Sequence, residues 1–200
     1  MGNRGLVLRD IEQVIAFIVE IEKLKNVYRK TRPVGLDRYE NSAEHSWHVC
    51  LSALMLKEYA NDAVNIDRVI KMLLIHDLGE IDAGDTIVYA SDSQETKEKE
   101  AAGLKRILNL LPGNQADEYM FLWHEFEAGD TVDSKYARAI DRIPPILHNL
   151  HGEGHSWIEN NISKDKVFDL NRRRIKDGSQ TLWEVIEAKL QEAVENGILN

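Results

Sequence analysis

The sequence has little of what a secreted, fibrous or membrane-spanning protein needs. Its 200 residues include one cysteine, Cys50, so no disulfide can form within the chain. Only 4 prolines and 12 glycines interrupt it, and no segment is low in complexity, which argues against a disordered or fibrous protein. No long apolar run is present, and Met1–Arg9 does not resemble a signal peptide. We therefore expect a soluble protein, without a membrane span, in a reducing cytoplasm.

Basic residues are also fewer than acidic ones. The chain has 25 basic against 34 acidic residues, a net charge of -9, and such a surface repels nucleic-acid phosphates. A small phosphorylated substrate needs only a local cationic pocket. Basic residues do concentrate in one segment, at Lys23, Lys25, Arg29, Lys30, Arg32 and Arg38. This segment is either a phosphate-attracting patch or a solvated basic loop, and we give the two interpretations equal weight.

Apolar residues recur every three or four positions through most of the chain, which is typical of helices, and no strand-like alternation persists. We predict an all-α helical bundle of about seven to nine helices in a single domain, 1–200. A motif-bearing core would span about 8–152, with C-terminal helices at 160–197 packed on it. The predicted helices are 11–25, 42–60, 67–78, 94–111, 116–128, 134–150 with a break at Pro144-Pro145, 163–176 and 181–195. Their expected N-caps include Asp10, Ser42 and Ser179.

The predicted helix 67–78 is apolar on nearly every side, so we expect it in the middle of the bundle. Gly79 would close it in the left-handed conformation. His76-Asp77 stands at its C-terminal end, where a buried carboxylate is costly without a cation and the helix dipole favours one. Three further acids, Glu80, Asp82 and Asp85, follow within ten residues. Without a metal ion these groups would repel one another.

Several short motifs occur in a fixed order. They are Leu24-Lys25 followed by Arg29, Ala43-Glu44-His45-Ser46, His76-Asp77-Leu78-Gly79-Glu80, Gly84-Asp85, Leu122-Trp123-His124-Glu125-Phe126-Glu127 and Ala139-Ile140-Asp141-Arg142. Together they resemble the HD-domain metal-dependent phosphohydrolases, and within that family the branch of 5'-deoxynucleotidases. The likeness covers about residues 8–152 and is absent from the last forty-odd residues.

The resemblance implies a set of site residues. It implies that one divalent ion is held by His45, His76, Asp77 and Asp141, contributed by three helices. It also implies that Glu80 and Asp85 assist catalysis, in roles that the sequence does not divide between them. Two imidazoles and two carboxylates suit Mn, Co, Fe, Ni or Zn ions. We expect Mn²⁺ or Co²⁺, with Mg²⁺, Fe²⁺, Ni²⁺ and Zn²⁺ as alternatives.

Arg29 matches the phosphate-side arginine of the family, and we assign Arg29 and Lys30 to substrate binding. Bacterial deoxynucleotidases of this type have tryptophan where this chain has Lys30, so the preference for deoxyribose stays open. The expected function is hydrolysis of (deoxy)ribonucleoside 5'-monophosphates, by a homodimer as relatives suggest. Two alternatives remain. One is another HD hydrolase acting on cyclic nucleotides, (p)ppGpp or dNTPs; the other is a non-catalytic metal- or nucleotide-binding module, against which Glu80 and Asp85 argue.

Other histidines carry weaker signals. His48 shares a helix face with His45, and we expect it to pack or to support the site rather than to bind the ion. The group of His148, His151 and His155 is a weak indication of a second ion or a substrate contact. The run Arg172-Arg173-Arg174 is interpreted as a solvated helix face.

Overall fold

The computed structural model describes residues 2–89 and 94–200. Its helices are α1 Gly2–Ile21, α2 Ser42–Leu56, α3 Ile66–Ile75, α4 Glu80–Ala83, α5 Gln94–Leu108, α6 Gln115–Ala128, α7 Val132–Asp141, α8 Ile143–Leu150, α9 His155–Glu159, α10 Lys164–Gly178 and α11 Gln180–Glu195. Within the described ranges nine helices have eight or more residues and no strand is present, only an isolated bridge between Tyr28 and Asn41. The predicted all-α class is confirmed. None of these described helices is both long and apolar enough to span a membrane.

Several helix ends differ from the predicted ones. Helix α1 begins at Gly2, so Asp10 lies inside it and does not cap it. The cap of α2 is Asn41, which exchanges hydrogen bonds with Glu44, and Ser42 is the first helical residue. Ser179 caps α11 as predicted. Short helices α4 and α9 lie in segments 81–93 and 151–157 that were expected to be irregular, and residues 90–93 of the first lie outside the described residues.

Helix α3 is amphipathic and is not buried on all sides as predicted. Met72 and Leu73 are fully buried, whereas Leu74 is 51% exposed, because the neighbouring helices cover only one side. The prediction that Gly79 is left-handed is also wrong, since its φ is −62°. Gly79 instead allows the backbone to pass close to α5, because a Cβ there would lie 2.4 Å from the backbone oxygen of Glu100.

The predicted break in helix 134–150 is present but lies earlier than expected. Helix α7 ends at Asp141, and α8 begins at Ile143 with the two prolines in its first turn. Proline is tolerated there because the first-turn N–H groups have no partner within the helix. The break therefore places Asp141 at a helix end, beside Arg142.

The core consists of two clusters of buried apolar residues. The larger joins α2, α3, α5, α6 and α7 through residues that include Val49, Met72, Leu104, Trp123 and Tyr136. The smaller joins α8, α10 and α11 through residues that include Ile146, Ile175, Trp183 and Leu190. Helix α10 packs along α7, so the C-terminal helices lie on the motif-bearing part. The assignment of the whole chain to one domain stays a prediction.

Candidate functional site

Three helix ends bring His45, His76 and Asp141 together. His45 lies in the first turn of α2, His76 directly follows α3, and Asp141 is the last residue of α7. His45 Nε2 lies 2.9 Å and His76 Nε2 lies 3.5 Å from the same oxygen, Oδ1 of Asp141. All three side chains are buried, and one ligand atom from each lies within 4.8 Å of the others.

Asp77 stands at the edge of this cluster. Its Oδ1 lies 3.1 Å from His76 Nε2, and its Oδ2 accepts a hydrogen bond of 2.7 Å from Arg29 Nη1. The structure thus brings together the four side chains that the sequence assigned to one ion, with the carboxylate of Asp77 shared between His76 and Arg29.

The orientation of His76 indicates that the cluster needs positive charge. Its Nδ1 lies 2.8 Å from the carbonyl oxygen of Leu73 and must donate, so a neutral ring carries its lone pair on Nε2. Among the described residues this buried Nε2 has no hydrogen-bond partner, and it faces carboxylate oxygens of Asp77 and Asp141. Burial opposes a charged ring, but these two aspartates outweigh it and raise the pKa of His76 to about 9. A cation fits this position.

Two buried arginines balance the carboxylates. Arg142 donates to Asp141 Oδ2 at 2.7 Å. Burial would raise the pKa of Asp141, but Arg142 and the two histidines hold it well below its ordinary value, so the group stays anionic. Burial opposes the charge of Arg29, yet the surrounding carboxylates raise its pKa. Arg142 ends the Ala139–Arg142 motif, and no role was predicted for it from the sequence.

Glu80 and Asp85 lie in the same site. Glu80 Oε2 accepts a hydrogen bond of 2.8 Å from the hydroxyl of Ser42, a partner that the sequence analysis missed. Burial and the charge of Asp77 raise the pKa of Glu80 well above its ordinary value. Burial likewise raises the pKa of Asp85, whose Oδ1 is 3.9 Å from Arg29 Nη1. Asp82, in contrast, points to the surface and binds Arg106.

The cluster opens into a cavity whose wall includes both predicted substrate-binding residues, Arg29 and Lys30. Helix α10 also contributes to the wall, through Asn171 and Arg174. The interpretation of Arg172-Arg173-Arg174 as a solvated face is therefore wrong for Arg174, which is half-buried, and holds for the exposed Arg172 and Arg173. Helical spacing was the available signal, since Asn171 and Arg174 are three residues apart and share a face.

The basic segment before residue 40 does not form one patch. Only Arg29 and Lys30 line the cavity. Three of the other basic residues pair with carboxylates elsewhere on the surface; these pairs are Lys23–Glu20, Lys25–Glu22 and Arg38–Glu44. The solvated-loop interpretation therefore describes them better than a phosphate patch does.

The bundle and its contents define a class of protein: an all-helical molecule with a buried histidine–aspartate centre at the end of a polar cavity. The chain belongs to the HD domain family, whose model matches residues 21–183. The match continues beyond residue 152, where the motifs end, and includes α10.

Known relatives agree with this assignment. The chain is 26% identical over 143 residues to human 5'-deoxynucleotidase HDDC2, an alignment that covers 70% of this chain and 66% of the human protein. It is 28% identical over 145 residues to the Dictyostelium discoideum protein of the same name, covering 69% and 76%. A crystal structure from Magnetospirillum magnetotacticum, described as a predicted metal-dependent phosphohydrolase, is 43% identical with a TM-score of 0.89, covering 96% and 98%. The assignment to the HD-domain phosphohydrolases is confirmed, and the chain is a hydrolase.

Proposed function

We propose that this hydrolase is a divalent-metal-dependent phosphomonoesterase that releases orthophosphate from nucleoside 5'-monophosphates. The observation that carries the proposal is the buried Nε2 of His76, which has no hydrogen-bond partner among the described residues and faces two carboxylates in a cavity lined by Arg29. The human and Dictyostelium discoideum relatives, both called 5'-deoxynucleotidases, support a nucleotide substrate.

The proposed ligands are His45, His76, Asp77 and Asp141. Two imidazoles and two carboxylates form a borderline donor set, for which we expect Mn²⁺ or Co²⁺. When bound, such an ion polarises a phosphoryl oxygen and lowers the pKa of a bound water. Arg142 holds Asp141 in its anionic form, and the Leu73 carbonyl fixes the ring of His76, so the protein orients both donors in advance.

The charge of the cavity fits a phosphate once an ion is present. Five basic and six acidic residues line it: Arg29, Lys30, Lys97, Arg142 and Arg174 against Asp77, Glu80, Asp85, Glu100, Glu127 and Asp141. With His76 neutral as a metal ligand and all six carboxyls ionised, the two positive charges of a divalent ion reverse this formal excess of one negative charge. A phosphate dianion is then attracted into the cavity of an otherwise acidic protein.

Three side chains have proposed roles beside the ion. Arg29 binds phosphate oxygens, because a guanidinium can donate two parallel hydrogen bonds. Glu80 and Asp85 exchange protons with the attacking water and the leaving alkoxide. Burial raises the pKa of both carboxyls, which brings them closer to the pH range in which such exchange is efficient.

A phosphate-release assay tests this function. Ribo- and deoxyribonucleoside 5'-monophosphates are screened with Mn²⁺, Co²⁺ and Mg²⁺, using wild type, Asp77→Ala and the matched surface variant Asp82→Ala. We expect at least one substrate to release orthophosphate with wild type and Asp82→Ala, and release to fall to background with Asp77→Ala. Equal release by wild type and Asp77→Ala would contradict the proposal.

Two further readouts separate the alternatives. With (p)ppGpp or a dNTP as the substrate, release of pyrophosphate or triphosphate would indicate a different HD chemistry. The Glu80→Ala variant tests the alternative of a non-catalytic module. If the protein is an enzyme, the variant should still bind nucleotide but hydrolyse almost none of it. If it is a binding module, the variant should keep its metal and its nucleotide affinity.

We also propose that the enzyme is a cytoplasmic homodimer. The single cysteine, Cys50, is unpaired, as expected in a reducing compartment. One stripe of α1, made of Leu8, Ile11, Ile15 and Ile18, is at least half exposed and recurs every three to four residues. Such a stripe suits pairing with the same helix of a second chain.

Light scattering after size exclusion tests the dimer. Wild type should have twice the chain mass of 22.9 kDa. Ile15→Lys should shift the protein towards monomer, because a charge enters the stripe. Val185→Lys, at a similarly exposed apolar position on α11, should leave the mass unchanged. A monomeric wild type would rule out the dimer.

A further inference from the structure

A second cluster of ligand-type side chains lies next to the first. Glu40 precedes α2, His48 lies three residues after His45 on α2, and His148 lies on α8. One candidate ligand atom from each lies within 4.8 Å of the other two. Glu40 and His148 are buried and His48 is half-buried, so this is not a solvated group of surface acids.

The two carboxylate oxygens of Glu40 face different clusters. Oε2 lies 3.4 Å from both His45 Nδ1 and Arg29 Nε, on the side of the first centre. Oε1 is on the other side, 3.8 Å from His148 Nε2. One oxygen is therefore directed to each cluster.

The ring of His148 has the arrangement usual for a metal ligand. Its Nδ1 lies 3.3 Å from the hydroxyl oxygen of Thr31, within hydrogen-bond distance, which leaves Nε2 to face Glu40. The 3.8 Å between Nε2 and Glu40 Oε1 is too long for a hydrogen bond. Two donor atoms that each bind one ion at about 2.1 Å are separated by about 3–4 Å, which matches this spacing.

An ion can reach this position from solvent. A surface cavity of about 680 Å³ extends to His148 and is lined by segments 32–37 and 151–159. The entry path is separate from the cavity that holds the first centre. Binding also requires only displacement of protons and water from the donors.

We propose that Glu40, His48 and His148 bind a second divalent ion of borderline character, such as Co²⁺ or Zn²⁺. Two imidazoles and one carboxylate provide three donors and leave positions for water. The group of His148, His151 and His155 was a weak indication of a second ion or a substrate contact. Of these three only His148 belongs to the cluster. His151 is exposed, and His155 lies beside Glu159. This proposal does not depend on the substrate or activity proposed above.

Metal stoichiometry after equilibrium dialysis against Co²⁺ tests the second site. Stripped full-length wild type should retain two ions per chain, and the neighbouring control His151→Gln should retain the same number. His48→Gln should retain one, and His148→Gln, altered on a different helix, should give the same loss. The Asp77→Ala/His48→Gln double variant should retain fewer than either single variant. Circular dichroism checks that each variant is folded.

One ion per wild-type chain, or an unchanged stoichiometry in folded His48→Gln, would overturn the proposal. A second test of the site needs no variants. Anomalous diffraction at the cobalt edge from wild-type crystals should show a peak between Glu40 and His148 as well as one at His45 and Asp141. A single peak at the first centre would overturn the second site, whatever substrate the enzyme hydrolyses.

Discussion

At Asp141 two functions of one carboxylate are divided between its two oxygens. Oδ1 faces His45 and His76, whereas Oδ2 accepts hydrogen bonds from Arg142. Arg142 is the next residue and lies just beyond the end of α7. The end of α7 and the charge balance of the site thus depend on the same two residues.

Gly79 gives a prediction at the scale of one residue. In Gly79→Ala the new Cβ would lie 2.4 Å from the backbone oxygen of Glu100, and backbone cannot move aside as a flexible side chain can. We expect a loss of about 1–3 kcal/mol in the free energy of unfolding, measured by urea denaturation.

Gly5→Ala is the matched control, because a Cβ there meets nothing within 4 Å inside α1. Alanine should stabilise that helix by up to about 1 kcal/mol. A Gly79→Ala variant as stable as wild type would show that the start of α4 and α5 can separate without cost.

The four proposed metal ligands were easier to predict than the residues that contact them. The order of the motifs named His45, His76, Asp77 and Asp141, and the structure brings the four together. The role of Ser42 towards Glu80 was missed because the two are 38 residues apart and meet only in the folded chain. A serine that supports a distant carboxylate occurs at no fixed spacing from it, so no sequence pattern reveals the contact.

At the scale of helices, apolar spacing predicted which elements exist better than where they end. Helix α6 matched within a residue, whereas α1 extends nine residues further towards the N-terminus than predicted, because no proline interrupts residues 2–10 and Leu6, Val7 and Leu8 are compatible with a helix. The exposure of Leu74 could not be foreseen, since burial of a helix face depends on which neighbours cover it.

The serine caps of α10 and α11 give a matched pair of variants. Ser179 is fully buried, accepts from the Leu182 amide and donates to the carbonyl of Tyr59. Ser163 caps α10 from an exposed position through one long hydrogen bond of 3.5 Å. Ser179→Ala should therefore cost about 1–2 kcal/mol and Ser163→Ala less. Thermal unfolding measures the stability loss in both variants. Equal losses would contradict the stronger capping role given to Ser179.

At the scale of the molecule, the proposed metal centre lies at the ends of helices that the larger apolar cluster already packs together. His45 belongs to α2, His76 and Asp77 follow α3, and Asp141 ends α7. Helix α10 then packs along α7 and joins the second apolar cluster to the first. An ion held by these ligands would connect three helix ends around one point.

Metal removal should therefore lower the stability of the whole fold. An ion present at a hundred times its dissociation constant stabilises the folded state by about 2.7 kcal/mol. Scanning calorimetry in Mn²⁺ and in chelator should show a higher midpoint with the ion. The increase should be smaller in Asp77→Ala and unchanged in Asp82→Ala, whose carboxylate binds Arg106 at the surface. Equal increases in all three proteins would place the stabilising ion elsewhere.

The separation of His45 and Asp141 by 96 residues has a consequence for biosynthesis. The amino-terminal part of a nascent chain leaves the ribosome first, with His45, His76 and Asp77 but without the last proposed donor. The full donor set exists only after residue 141 has emerged and α7 has docked. Loading of the proposed ion would then be a late event in maturation, and chains terminated before residue 141 would lack the complete donor set.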